Sequence, residues 1–291
     1  MTKVPELIRF DWAMKRLLRD KANFEVLEGF LTTLLNQEIK IDAILESESN
    51  QDHPEMKYNR VDLVAQGAKG EKYLIEVQNQ SEIAYFHRIL FGTSRLISDY
   101  QKLGDDYGKI SKIYSINIVY FNLGEGTDTV YVGKTEFIGI HDKSVLGLSA
   151  RWKRELGVET VSDIFPTYYV LRVNDFDRWS KTPLDQWLYF LSKGRLQEDP
   201  TAPGLKAVEE KLRVDSMSES EQLSYRKKLD DLRSIINGYN DALKQGREEG
   251  RQEAIRQIVE NMVKAGLSAG VIAQAAGLSV SEAESIIDSL K

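Results

Sequence analysis

Two short runs of the sequence combine acidic and amide side chains in a pattern suited to metal-dependent chemistry. Residues 60–66 (RVDLVAQ) and 72–78 (KYLIEVQ) alternate apolar and polar side chains as β-strands do, and a glycine-containing turn separates them. Pairing these strands as a hairpin would place Asp62 opposite Glu76, at ~5 Å between Cβ atoms. Gln78 would follow Glu76 on the same face of the second strand.

Two carboxylates at this separation repel each other unless a cation lies between them. Ligand sets made only of oxygen suit Mg²⁺ or Mn²⁺, and Mg²⁺ needs only one or two carboxylates together with waters and a phosphate. The hairpin therefore indicates a metal site for phosphodiester chemistry. The same alternation is also typical of any strand with one solvent-facing side, and the acids would then be ordinary surface residues.

The remaining elements predict an α/β fold with the order helix, three strands, helix, strand. A hydrophobic strand at 112–121 is expected at the centre of the sheet. The predicted elements are helices at 11–18 and 24–35, strands at 39–45, 60–66 and 72–78, a helix at 82–103, the strand at 112–121, strand-like runs at 129–132, 136–140 and 168–173, and a helix at 184–191. In helix 82–103 the expected buried side is Ile83, Phe86, Leu90 (or Ile89), Ile97 and Tyr100.

The C-terminal third has a different composition and is predicted to form a separate helical extension. Residues 193–206, with Gly194, Pro200 and Pro203, are typical of a linker. Residues 207–265 predict a long helical segment in which Gly246, Gly250 and Ala254 recur every four residues. This spacing is consistent either with a self-associating helix pair or with a loosely solvated helix. Residues 266–291 resemble a helix-turn-helix, but the acidic second helix favours a small interaction module over recognition of a DNA groove.

Composition limits the class of protein. The 291 residues are 42% hydrophobic, which is enough for a globular core, and the absence of cysteine excludes disulfides and thiolate metal sites. The formal net charge of -6 argues against constant unspecific binding of nucleic acid, although it allows a local basic face. We find no signal-peptide pattern and no apolar run long enough to span a bilayer, so we expect a cytoplasmic protein.

These features together resemble the PD-(D/E)XK nuclease superfamily, and more narrowly its recombination-promoting nuclease and transposase family. The fold implied is a restriction-endonuclease-like core in residues 1–192. The residues that carry the resemblance are Asn23-Phe24-Glu25 leading to Phe30-Leu31, Lys57 five residues before Asp62, Glu76-Val77-Gln78, Arg88, Gly104, Tyr107, Trp187-Leu188-Tyr189-Phe190 and the Gly-x-x-x-Gly helix near the C-terminus.

The resemblance implies a role for each matching residue. Asp62 and Glu76 would bind Mg²⁺ or Mn²⁺, with Glu25 as a third acid from the first helix and Glu28 in its place if the helix phase differs. Gln78 stands where the superfamily usually has lysine, so it would position water without supplying charge. Lys57 or Arg88 would then supply the missing positive charge, as DNA-binding or charge-stabilising residues.

The function implied is a metal-dependent DNA endonuclease linked to recombination or transposition. DNA is the expected partner, and the C-terminal helices are expected to form a homo-oligomer. Two alternatives remain at this point. One is a catalytically silent DNA-binding or oligomeric scaffold that keeps the nuclease fold, and the other is a toxin-like or defence nuclease with the same chemistry.

Overall fold

A computed structural model describes residues 7–16, 18, 20–45, 60–100, 106–174, 176 and 182–290, with the backbone alone for residues 15, 16, 60–62 and 215. The chain divides into two compact units, residues 1–218 and 219–291. The helices are α1 (Phe10–Arg16), α2 (Phe24–Leu35), α3 (Tyr85–Tyr100), α4 (Ala150–Leu156), α5 (Pro183–Lys193), α6 (Leu205–Lys211), α7 (Glu219–Lys264), α8 (Ala269–Ala276) and α9 (Val280–Ser289). The strands are β1 (Ile41–Leu45), β2 (Arg60–Gly67), β3 (Lys72–Gln78), β4 (Ile113–Val119), β5 (Val130–Gly133) and β6 (Thr167–Arg172).

The strands of the described residues form one mixed sheet of six strands in the order β1-β2-β3-β4-β6-β5. Strands β1, β2 and β3 are antiparallel, whereas β3, β4 and β6 run parallel and β5 is antiparallel to β6. Helix α3 provides the crossover that the parallel pair β3 and β4 requires. The predicted α/β class and the order helix, three strands, helix, strand are confirmed by α2, β1, β2, β3, α3 and β4.

A tight turn fixes the register of the β2–β3 hairpin. The backbone N–H of Gly67 donates to the carbonyl oxygen of Glu71 at 2.9 Å. Gly70 has φ +84°, a left-handed conformation that glycine adopts without a steric cost. The strands on either side are rich in Val, Leu, Ile and Tyr, which favour extended backbone. The predicted hairpin is therefore confirmed, with its turn at the predicted place.

Helices cover the two faces of the sheet differently. On one face, Leu96 of α3 packs against Val64 of β2 and Leu74 of β3. The N-terminal part of α3 continues this layer, because Tyr85 and Ile89 pack against Val119.

On the opposite face, α1 and α5 meet at Tyr120, directly after β4. The Arg9 guanidinium lies 4.8 Å from the centre of the Tyr120 ring, and the Tyr120 hydroxyl donates to the Leu191 carbonyl oxygen at 2.7 Å. Helix α2 joins this layer through Phe30, whose ring lies 5.4 Å from that of Phe10 and 5.3 Å from that of Trp187.

The phase of helix α3 differs from the prediction. Its buried residues are Tyr85, Ile89, Thr93 and Leu96, so the predicted alternative Ile89 is buried in place of Leu90. Phe86, which was expected to be buried, is 59% exposed, and Ile83, just before the helix, is fully exposed. Apolar residues occur on two sides of this helix, so periodicity alone did not identify the side that meets the sheet. The strand-like run at 136–140 also differs, because Ile138 forms only an isolated bridge with Val145 outside the sheet.

Residues 193–206, predicted as a linker, pack within the first unit. The side-chain Oε1 of Gln186 accepts hydrogen bonds from the backbone N–H groups of Thr201 and Ala202, both at 2.9 Å. The Trp187 indole N–H donates to the Pro203 carbonyl oxygen at 3.0 Å. These bonds hold the segment against α5, so its glycines and prolines shape a packed connection.

The predicted long helical segment 207–265 contains two helices. Helix α6 ends at Lys211 and α7 begins at Glu219. Between them, Leu212 is fully buried and its carbonyl oxygen accepts from the Ile8 N–H at 2.6 Å. Burial of Leu212 and Val214 in the first unit therefore interrupts the helical pattern.

In the second unit, the end of α7 packs with α8 and α9 around Val259, Ile272 and Ala283. Gly277, with φ +67°, ends α8, and Ser279 begins α9 with a capping box to Glu282. The predicted pair of helices around Gly277 is therefore observed. Within the described residues, no helix is both long and apolar enough to cross a membrane.

Gly29 supplies a test of the packing between α2 and the segment before α6. A Cβ at position 29 would lie 2.4 Å from the Gly204 Cα and 2.5 Å from the Pro203 carbonyl oxygen. We expect Gly29→Ala to lower the free energy of unfolding of the first unit by about 1–3 kcal/mol, because backbone must move to admit the methyl group. Urea unfolding followed by tryptophan fluorescence measures this change.

Gly147→Ala is the matched control, because nothing lies within 4 Å of a Cβ at position 147. Equal stability of the two variants would contradict the packing of residues 193–206 against α2.

Candidate active site

The register of the sheet aligns the predicted site residues in one row across four strands. Asp62 of β2 pairs with Glu76 of β3, Glu76 pairs with Asn117 of β4, and Asn117 pairs with Val170 of β6. Neighbours in such a row lie on the same face of a pleated sheet, about 5 Å apart. The predicted pairing of Asp62 with Glu76 is confirmed for the backbone, and the side chain of Asp62 lies outside the described part of the structure.

The carboxylate of Glu76 is buried between the sheet and helix α3. The residue is 2% exposed, and a Cβ at Gly92 would lie 3.4 Å from its Oε1 and 3.6 Å from Cδ2 of Leu74. Removing an ionised carboxylate from water is unfavourable unless a cation or hydrogen bonds compensate for the lost hydration. Burial to this degree distinguishes Glu76 from an ordinary acid on the wet face of a strand.

Gln78 lies next along the same face and is also buried, with 7% exposed. Its Nε2 donates to the backbone carbonyl oxygen of Gln80 at 3.2 Å. This hydrogen bond orients the side-chain amide beside Glu76. An amide in this position can hold a water molecule through hydrogen bonds, but it supplies neither charge nor proton buffering.

Asn117 is a site residue that the sequence analysis missed. It is fully buried, and its Nδ2 donates at 3.1 Å to both the Ser115 hydroxyl and the Tyr169 carbonyl oxygen. A backbone carbonyl oxygen can only accept a hydrogen bond, so the side-chain atom of Asn117 that contacts the Tyr169 carbonyl is the amide nitrogen and not the amide oxygen. Oδ1 of Asn117 has no hydrogen-bond partner in the part of the chain that the structure describes. The sequence did contain a signal for this residue. Ser115 and Asn117 are two polar residues, two positions apart, in an otherwise apolar strand.

One of the two predicted cationic residues lies in the described structure. Arg88 forms an ion pair with Glu82 and precedes Gly92 by one turn of α3, so both residues lie on the same side of the helix. The Arg88 side chain is 21% exposed. Lys57 lies outside the described residues.

The structure does not bring Glu25 or Glu28 to Glu76. Glu25 is exposed on α2, in the layer on the opposite face of the sheet, and its carboxylate lies 3.4 Å from Nζ of Lys211. Glu28 accepts hydrogen bonds from the Ile41 N–H at 2.9 Å and from Nζ of Lys40 at 3.2 Å, at the start of β1. Both side chains make these other contacts in the structure, and a role at the site for an acid of this helix stays a prediction.

Another cluster of titratable groups lies on the opposite face of the sheet, at Lys112, Tyr114 and Tyr169. Burial lowers the pKa of the Lys112 ammonium and raises the pKa values of Tyr114 and Tyr169. Nζ of Lys112 donates to the carbonyl oxygens of Ser162 at 2.8 Å and of Phe165 at 2.5 Å. Both contacts hold the loop before β6, which assigns this lysine a structural role.

The described part of the site offers one buried carboxylate and two buried amides on neighbouring strands. Among the side chains that the structure describes, no three acids or histidines converge as a metal-binding group, and Asp62 falls outside that set. Carboxylate and amide oxygens are hard ligands that suit Mg²⁺ or Mn²⁺. Among the described side chains, Glu76 and Asn117 carry oxygen atoms of this kind.

Comparison with known proteins gives one match. Residues 8–148 match the sequence model of a family described as PD-(D/E)XK nuclease family transposase. This range contains α1, α2, the β2–β3 hairpin, α3 and β4, and thus the whole row from Asp62 to Asn117. No curated protein and no solved structure matches the chain.

The contact between α3 and Glu76 predicts a size limit at position 92. We expect Gly92→Ala to be tolerated, because its Cβ would lie at ordinary contact distance from Glu76 and Leu74. Gly92→Val adds two methyl groups beyond that Cβ and should lower the free energy of unfolding by about 1–3 kcal/mol. Urea titration of both variants measures the difference, and equal stabilities would show that α3 does not approach the carboxylate this closely.

Proposed function

Because residues 8–148 belong to the PD-(D/E)XK nuclease family transposases, we propose that the protein is a metal-dependent DNA endonuclease linked to recombination or transposition. The family implies nuclease activity on DNA, and the observation that carries the finer proposal is the pairing of Asp62 with the buried Glu76. This pairing supports a divalent-cation site, since two acids at neighbouring positions of one sheet face favour a bound cation.

Asp62 and Glu76 are the proposed ligands of Mg²⁺ or Mn²⁺. When bound, such an ion activates water and offsets negative charge on the phosphodiester. Helix α3 limits the movement of Glu76 and excludes bulk water from it, which strengthens its attraction to a cation. Gln78 is the proposed water-positioning residue, held in place by its hydrogen bond to Gln80.

The positive charge that Gln78 lacks is assigned in this proposal to Arg88, with Lys57 as a further contributor. The guanidinium of Arg88 carries a permanent charge and several N–H donors that suit phosphate oxygens. Its ion pair with Glu82 holds it on the side of α3 that contains Gly92. We therefore assign Arg88 to binding of the DNA backbone near the metal ligands.

We expect Glu76→Gln to reduce nicking of supercoiled plasmid in Mg²⁺ or Mn²⁺ by about 100-fold or more, because the amide removes a ligand charge. The native chain should also gain thermal stability with Mn²⁺, whereas Glu76→Gln should not. Asp62→Asn should behave as Glu76→Gln does. Asp42→Asn, an exposed acid on edge strand β1, is the matched control and should retain native activity.

A catalytically silent DNA-binding scaffold is the second candidate function. The observation that favours it is Gln78, which is neutral where the superfamily usually has lysine. The same plasmid assay separates the two candidates. DNA binding with equal background nicking by the native chain and by Glu76→Gln would support the scaffold and contradict the endonuclease.

Self-association through the C-terminal helices is the proposed oligomeric arrangement. Gly246, Gly250 and Ala254 recur every four residues in α7, and nothing in the described structure lies within 4 Å of a Cβ at either glycine. A glycine in a helix interior costs ~1 kcal/mol relative to alanine, so two on one side favour close approach of a second helix.

We expect the double variant Gly246→Leu and Gly250→Leu to lower the molar mass of the full chain in light scattering, because larger side chains would separate the helices. Gln252→Leu is the control, because it lies roughly 200° around the helix from Gly250. A monomeric native chain, or an unchanged mass in the double variant, would contradict self-association at these glycines.

A further inference from the structure

A cleft lies beside α3, on the same face of the sheet as Glu76. It has a volume of about 490 Å³, within the size range of small-molecule sites. Phe86 and Leu90 of α3 form one wall. Tyr131 of β5 and Tyr168 and Val170 of β6 form the floor and the other wall. Phe86 and Leu90 are 59% and 58% exposed, so the helix presents apolar side chains to this cleft.

The lining contains two charged residues, Arg172 at the end of β6 and the exposed Glu125 of the loop before β5. Arg172 donates from Nη1 to the carbonyl oxygen of Gly126 at 3.1 Å, and its guanidinium carbon lies 6.0 Å from the centre of the Tyr131 ring. Its Nε is buried and has no hydrogen-bond partner among the described residues. A buried donor without an acceptor is costly in free energy. The cleft thus combines aromatic walls with the guanidinium group of Arg172, whose N–H groups are hydrogen-bond donors.

The sheet register relates the cleft to the candidate active site. Val170 of the cleft belongs to the same row as Glu76. It lies two strands away from Glu76, because Asn117 of β4 pairs with both residues. Two strand spacings correspond to about 10 Å. Arg172 is likewise two strands from Gln78, through Val119. Helix α3 lies above the sheet between the two places, because Ile89 packs on Val119 while Leu90 lines the cleft.

We propose that this cleft binds an unpaired base of the DNA strand whose backbone reaches the Asp62–Glu76 site. This proposal rests on the proposed DNA substrate, of which the cleft holds one unpaired base. The rings of Phe86, Tyr131 and Tyr168 provide stacking surfaces, which tolerate any base because every base has a π-face. The guanidinium group of Arg172 donates to an acceptor on the base, and a duplex in which every base is paired cannot fill the cleft without losing one pair.

The shape and chemistry of the cleft favour a base over a protein segment. A protein partner needs an extended surface, with about 800 Å² buried on each side of a standard interface. This cleft is a compact concavity lined by three aromatic residues and the Arg172 guanidinium group, which match a planar heteroaromatic ring in size and in hydrogen bonding. The candidate active site lies on the same face of the sheet, so the ring would be the base of a nucleotide in the strand bound there.

Fluorescence of 2-aminopurine in single-stranded oligonucleotides tests the proposal with the full chain in EDTA, where no cleavage occurs. We expect binding to quench the fluorescence, and Phe86→Ala to weaken binding by about tenfold through loss of one stacking surface. Phe91→Ala is the matched control, because Phe91 is also exposed on α3, at 67%, and does not line the cleft. The affinity of the native chain for an abasic strand should be about as low as the affinity of the Phe86→Ala variant for the intact strand.

Three results would overturn the proposal. They are equal affinity of Phe86→Ala and Phe91→Ala, equal affinity for duplex and single strand, or binding of free deoxynucleoside monophosphate as tight as that of the strand. Arg172→Met provides a second variant, expected to weaken the intact strand and to leave the abasic strand unaffected. Base binding in EDTA together with absent plasmid nicking in Mn²⁺ would leave the cleft assignment standing and contradict only the proposed endonuclease activity.

Discussion

The burial of Glu76 is the constraint on which the arrangement of the first unit depends. A carboxylate that is 2% exposed must have its lost hydration replaced, and the structure places it on the strand between β2 and β4, beneath the glycine of α3. The hairpin register sets Asp62 opposite it, and the parallel pairing sets Asn117 beside it. Each of these neighbours is fixed by backbone hydrogen bonds, which makes the row rigid.

Helix α3 connects the parts of this face of the sheet. Gly92 allows the helix to lie next to Glu76, Arg88 stands one turn earlier on the same side, and Phe86 lines the cleft over β5 and β6. One helix therefore contributes to the proposed metal site, to the proposed phosphate contact of Arg88 and to the cleft proposed for a base. Its position depends on the contacts of Tyr85 and Ile89 with the end of β4.

The neutral Gln78 distinguishes this site from the lysine-containing pattern of the superfamily. Under the proposed function, a lysine is absent from this position, so stabilisation of a phosphodiester transition state would rely on the metal ion and on cations from other elements. The neutral side chain also leaves one positive charge fewer beside the proposed cation site at Glu76, which would favour metal binding there.

The sequence by itself determined the hairpin, the order of elements and the pairing of Asp62 with Glu76. These depend on local signals, namely alternation along two strands and a turn that needs glycine, so they can be read without knowledge of distant residues. Only the tertiary structure decided the phase of α3, the packing of residues 193–206 and the place of Asn117 beside Glu76. Each of these depends on which of several apolar or polar sides meets a distant element, and local periodicity carries no information about that choice.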